Sequence, residues 1–235
     1  MLTAHSGCEG TPMNSMEYVK KAVSIRPDAL EVDIRRSEGV LVLDHGQEKR
    51  ALPAGKALGI SQESGEEAQL TLEDCLREIK DSGLYLNADL KEPGLEKEVL
   101  AAASGVGFDR SRIIFTGCIK DPKSMVWRVK PAAVYANPEE FDRRFYERVM
   151  SLTGTERRSY LERVLEIIHQ LGYNVINVNY RVCDKDMVHV CIENNLKLSL
   201  WTIDEAKEAK RLCALAGRDR IVNLTTNRPT KISAE

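Results

Sequence analysis

Short extended stretches alternate with amphipathic helical stretches along nearly the whole chain, and that rhythm leaves few folds open. Extended candidates lie near residues 2, 29, 84, 111, 132, 174, 196 and 220, with a further extended run at 40–44. Helical patterns fill most of the gaps. At 14–24 apolar Met16, Val19 and Val23 share one face behind an Asn or Ser cap. At 71–80 the opening Thr-Leu-Glu-Asp forms a capping box. Further helical stretches read at 95–103, 122–129, 184–194 and 204–216, the last stopping at Gly217. A charged helical region covers 138–171 and should break near 151–155, where Gly and hydroxyl residues cluster.

Parallel strands need a crossover between them, so alternation of this kind implies a parallel sheet covered by helices. Eight units in 235 residues match a (β/α)8 TIM barrel with little length to spare. An open doubly wound sheet is the alternative, but no GxGxxG follows the first strand and no P-loop occurs. No linker or low-complexity segment interrupts the sequence, so one domain is expected over 1–235. The polar, Gly-bearing piece at 46–69 holds no aromatic residue and should be a short loop that leaves one barrel mouth open.

Composition narrows the function by exclusion. With 34 Lys+Arg against 36 Asp+Glu, the net charge of −2 lacks the basic footprint of a nucleic-acid binder. No apolar run approaches the ~20 residues needed to cross a bilayer. The opening MLTAHSGCEG has neither the basic nor the apolar region of a secretory signal. Six Cys contain no CxxC pair, so reduced thiols in a cytoplasmic protein are expected.

The charges on two strand candidates carry the chemistry. In ALEVDIR (29–35), Leu30, Val32 and Ile34 share one side while Glu31, Asp33 and Arg35 share the other. In LYLNADLK (84–91), Leu86, Ala88 and Leu90 oppose Asn87, Asp89 and Lys91. On a lone antiparallel strand such charges would simply face water. On a barrel strand the apolar side meets the helices, which turns the charges inward, toward the mouth where strand ends carry catalytic groups. Glu31, Asp33 and Asp89 cannot cluster there unpaired, because desolvation and mutual repulsion would protonate them. A divalent cation resolves the conflict, and an all-oxygen donor set favours Mg²⁺ or Ca²⁺. Lys91 and Arg35 would complete the balance or hold an anionic substrate. His5 and His45 each end a strand candidate and precede a Gly that allows a tight turn beside a ligand. His169 and His189 lie in helical stretches and read as surface or capped residues. Two histidines beside a cation and a lysine are suited to acid–base cleavage of a phosphodiester.

These residues stand within an ordered set of motifs: TAHSG at 3–7, PMNS at 12–15, LEVDI at 30–34, LDHG at 43–46, TLEDCL at 71–76, LNADLK at 86–91, WT at 201–202 and TTNRP at 225–229. The set resembles the glycerophosphodiester phosphodiesterase family over essentially the whole chain. The resemblance implies a phospholipase-C-like barrel that cleaves a small-molecule glycerophosphodiester to sn-glycerol 3-phosphate and an alcohol. It also implies Glu31, Asp33 and Asp89 as metal ligands, His5 and His45 as the catalytic pair, Lys91 as a phosphate contact and Trp201 as a wall for glycerol or head group. The implied mechanism is attack of the glycerol 2-hydroxyl on phosphorus, giving a cyclic phosphate that water opens. Four positions depart from the family pattern: Ser6 replaces an arginine, Met13 a glutamate, Gly46 an aspartate and Asn227 an aspartate. The lost arginine removes a bidentate phosphate clamp. Two other readings stay open: a sphingomyelinase-D-like phospholipid hydrolase or transferase, and a non-catalytic barrel that binds a phosphate ligand.

Overall fold

Leu30, Val32 and Ile34 are fully buried, and so are Leu86, Ala88 and Leu90. Strands with such faces and inward charges need cover on both sides. The computed structural model, which describes residues 1–46, 69–119 and 133–233, provides that cover as a (β/α)8 barrel. Its strands are β1 (Leu2–Ala4), β2 (Ala29–Ser37), β3 (Val40–Leu43), β4 (Tyr85–Leu90), β5 (Ile113–Gly117), β6 (Ala133–Val134), β7 (Val175–Asn179), β8 (Lys197–Trp201) and β9 (Ile221–Thr226). The order around the ring is β6-β5-β4-β2-β1-β9-β8-β7, with every neighbouring pair parallel. Among the described residues, closure comes from one parallel bridge between Ala136 and Ile176. There Ala136 N donates to Val175 O (2.9 Å) and Asn177 N to Ala136 O (2.7 Å). The extended run at 40–44 is not a barrel strand, since β3 folds back antiparallel on β2 and pairs Arg35 with Val42.

The helices are α1 (Met16–Ile25), α2 (Leu72–Ile79), α3 (Glu96–Gly105), α4 (Phe145–Ser151), α5 (Gly154–Gln170), α6 (Lys185–Glu193), α7 (Ala206–Ala216) and α8 (Pro229–Ser233). Side chains expected to start them do so. Ser15 accepts from Tyr18 N, Thr71 from Asp74 N and Asp184 from Met187 N, each satisfying an orphan donor. The charged 138–171 region breaks at Leu152 and Thr153, between α4 and α5, as the Gly and hydroxyl cluster suggested. Helix α7 starts later than its apolar pattern predicts, because the Asp204 carboxylate is engaged by Thr226 and Asn227 instead. The expected helix at 122–129 and nearly all of the 46–69 loop lie outside the described residues. Among the described residues no helix is long and apolar enough to cross a membrane.

Candidate active site

In-register pairing of β2 with β4 sets Asp33 beside Asp89 and Glu31 beside Asn87 at the barrel interior. Alternation along each strand turns these side chains away from the helices, as the sequence pattern requires. Glu31, Asp33 and Asp89 each offer one carboxylate oxygen, all within 4.8 Å of one another. Only 6% of Glu31 and 1% of Asp33 remain exposed, so the like charges meet with little water between them.

The surrounding groups hold this cluster in place. Lys91 Nζ sits 2.7 Å from Asp33 Oδ1 and also pairs with Asp89. Asn14 donates from Nδ2 to Asp33 Oδ2 (2.7 Å) and accepts from Asp33 N (3.1 Å). Ser6 N donates to Glu31 Oε2 (3.0 Å), and Ser6 Oγ donates to Asp33 Oδ2 (3.3 Å). Ser6 and Asn14, which lie in the two divergent N-terminal motifs, thus both serve the carboxylates. Gly117 follows Asp89 across the ladder with φ +80°, and a Cβ there would lie 2.6 Å from Asp89 Oδ1 and 2.3 Å from Leu90 O. Only glycine lets β5 pass that close.

Charge is unevenly shared among the three acids. Burial pushes Asp33 upward, but the Lys91 ammonium and the Asn14 amide outweigh it and hold the carboxyl below its ordinary range. Burial, reinforced by Asp33 and Asp89, drives Glu31 well above its ordinary range. One ammonium therefore does not neutralise the cluster. An oxygen-only donor set with this surplus of negative charge fits a divalent cation.

His5 follows β1 and is held by a relay. Asn227 Nδ2 donates to Asp204 Oδ2 (2.8 Å) and Asn227 N donates to Asp204 Oδ1 (2.7 Å). With its amide hydrogens committed there, Asn227 turns Oδ1 toward His5 Nδ1 at 2.8 Å. That geometry assigns the hydrogen to Nδ1 and leaves Nε2 as the nitrogen able to accept a proton. His45 follows β3 and is exposed. Gly7 and Gly46, after the two histidines, have φ of +83° and +85°, so both turns do use the left-handed backbone.

One cavity of about 190 Å³ gathers His5, Glu31, Asp33, His45, Asp89, Lys91 and Trp201. Arg35 is not among its lining residues. It shares the parity of Glu31 and Asp33, but it lies beyond the rim, where β2 pairs with β3. There its guanidinium donates to His45 O (3.2 Å) and faces Glu92 (3.7 Å). The cavity also takes Asn137, Glu139 and Asn177, none of which stood out in the sequence. Glu139 sits in the single turn Pro138–Glu140, at the head of what reads as a long solvated helix.

No family model matches the chain. Among curated proteins, a glycerophosphodiester phosphodiesterase of Caldanaerobacter subterraneus subsp. tengcongensis is 23% identical, over 94% of this chain and 93% of its own. The chain resembles the glycerophosphodiester phosphodiesterases from end to end. Solved structures of that kind share the fold. An Oleispira antarctica phosphodiesterase in complex with the product sn-glycerol-3-phosphate aligns with a TM-score of 0.64 at 18% identity, covering 100% of this chain and 95% of its own. The Thermotoga maritima glycerophosphodiester phosphodiesterase aligns with a TM-score of 0.62 at 16% identity, over 99% and 96% of the two chains.

Proposed function

We propose that this chain is a single-domain, cytoplasmic phosphodiesterase that hydrolyses small glycerophosphodiesters to sn-glycerol 3-phosphate and an alcohol. The observation that carries the reading is the convergence of two histidines, three carboxylates and a lysine in one cavity at the barrel mouth. The named relative and the product-bound structure support the substrate class.

Glu31, Asp33 and Asp89 would hold Mg²⁺ or Ca²⁺. Such a cation supplies positive charge for the phosphate oxygens as negative charge builds on them. Lys91, already between Asp33 and Asp89, favours the ionised form of Asp33 and adds a donor for the phosphate. His5 takes the base role in the first step, with Nε2 receiving the proton of the glycerol 2-hydroxyl. Its Nδ1 hydrogen rests on Asn227 Oδ1, which leaves Nε2 as the accepting nitrogen. His45 delivers a proton to the departing alkoxide. The 2-hydroxyl oxygen bonds to phosphorus as the alcohol oxygen leaves, which gives a cyclic phosphate. Water then opens the ring with the proton transfers reversed. Trp201 forms a wall of the cavity beside the bound diester.

The test offers purified protein glycerophosphodiesters and lysophospholipids with Mg²⁺ or Ca²⁺, and again with EDTA. Cation-dependent release of glycerol 3-phosphate is expected, with His5→Ala and His45→Ala each lowering kcat by about 10²–10⁴-fold. Cleavage of lipids alone would favour the phospholipid reading. Binding of glycerol phosphate without turnover would favour the non-catalytic one.

A further inference from the structure

The cavity has two unlike walls. Counted around the ring, β8 lies opposite β4 and β7 lies opposite β2. The carboxylates and Lys91 stand on the β2 and β4 side. The facing wall takes Trp201 from the end of β8, Asn177 from β7 and Glu139 from the turn after β6. Nothing in the phosphodiester chemistry described above uses Glu139.

Glu139 is poorly compensated. Its Oε2 is buried and has no hydrogen-bond partner. The Tyr146 hydroxyl lies near the carboxylate, and Asn137 Nδ2 donates to Oε1 at 3.5 Å. Among the described residues, the charged groups that act most on it are Glu140 and Asp89, both acidic. The Trp201 ring lines the same cavity, and Tyr146 packs edge-on against that ring at 6.2 Å and 77°. Among the described residues no cation pairs with this buried carboxylate, and such an acid beside the Trp201 ring in an open cavity is chemistry that selects a positively charged ligand. Burial pushes the Glu139 carboxyl up to about 7, as expected of an acid missing its counterion.

We propose that Glu139 and Trp201, the latter backed by Tyr146, form a subsite for an ammonium group, so that the preferred diesters carry a cationic alcohol of the choline or ethanolamine class. This rests on the phosphodiesterase reading and extends it to the leaving alcohol. The phosphate is served from the β2 and β4 side, and the ammonium meets the opposite wall. A neutral head group such as glycerol leaves the acid uncompensated, and an anionic one is repelled.

The test compares glycerophosphocholine and glycerophosphoethanolamine with glycerophosphoglycerol, in the parent and in Glu139→Gln. The preference for the cationic diesters, as a ratio of kcat/KM, should fall about tenfold in the variant, chiefly through KM. Equal effects on all three diesters, or no preference in the parent, would overturn the subsite. A second measurement needs no turnover: titration of the parent and Glu139→Gln with choline, followed by calorimetry. Weaker binding to the variant supports the subsite, and equal or absent binding to the parent refutes it. If choline binds but no diester is cleaved, the phosphodiesterase reading fails and the ammonium site stands. If glycerophosphoglycerol is cleaved and choline does not bind, the reverse holds.

Discussion

Lys91→Met isolates the charge balance of the carboxylate cluster from its chemistry. Methionine keeps an unbranched apolar side chain one atom shorter and removes the ammonium. In the parent, the side chain of Lys91 is 20% exposed, and Nζ lies 2.7 Å from an Asp33 carboxylate that is itself almost wholly buried. At that separation and an effective dielectric of ~20, the pair attraction is about 6 kcal/mol before desolvation is subtracted. Breaking one partner of a buried pair costs about 3–5 kcal/mol net, and the partial exposure of Lys91 places the loss near the lower figure. For a chain of this size, 3 kcal/mol lowers Tm by about 6–12 °C. The loss should be full in EDTA, where Glu31, Asp33 and Asp89 have no other cation, and should shrink when Mg²⁺ or Ca²⁺ is saturating. Differential scanning calorimetry of parent and variant with and without the cation reads both effects. If Lys91→Met melts with the parent in EDTA, the cluster does not depend on the lysine. A deficit that stays constant across cation concentrations would refute cation binding by these three acids.

Asn227→Leu should lower kcat about 10–100-fold with little change in KM, because it frees the His5 ring without removing a substrate contact. An unchanged kcat in steady-state assays would remove the relay from the mechanism. Tyr18→Phe should cost about 1–3 kcal/mol in urea unfolding. The hydroxyl lies 2.8 Å from both Ala4 O and Glu31 O and accepts from Glu31 N, and the ring is fully buried. A loss below ~0.5 kcal/mol would show those groups find other partners. Glu139→Gln should stabilise the protein at alkaline pH. The folded carboxyl titrates at about 7 against an ordinary 4.5, so the fold binds that proton more tightly than the unfolded chain does. The contribution of Glu139 to parent stability is therefore fully present below about 4.5 and is lost as pH rises through about 7. The variant should gain on the parent by up to about 3 kcal/mol between pH 4.5 and pH 8. A constant difference in urea unfolding at the two pH values would contradict the assignment.

The barrel was legible because its evidence is periodic. Strand alternation at 29–35 and 84–91 identifies both the apolar outer face and the inward acids, and the pairing of Asp33 with Asp89 follows from that parity. Arg35 shows where parity stops informing. It points to the same side as Asp33, yet the hairpin to β3 carries it past the rim. Ser6, Asn14 and Asp204 act through hydrogen bonds to residues 19 to 27 positions away, and no local pattern encodes such reach. Glu139 was hidden for another reason. In Pro-Glu-Glu-Phe-Asp it reads as one acid among many on a helix start, and only the turn over β6 carries it into the cavity.

The bridge at Ala136 has a mechanical consequence. Between β2 and β4 six residues on each strand are in register, from Ala29 with Tyr85 to Ile34 with Leu90. Between β6 and β7, among the described residues, one bridge closes the ring. The side of the mouth proposed to hold the phosphate is therefore stiff. The side bearing Glu139, three residues beyond the bridge, hangs from the most compliant seam of the barrel, where backbone opening costs least. A rigid anvil opposite a yielding jaw can hold one phosphate geometry constant while the attached alcohol varies in size.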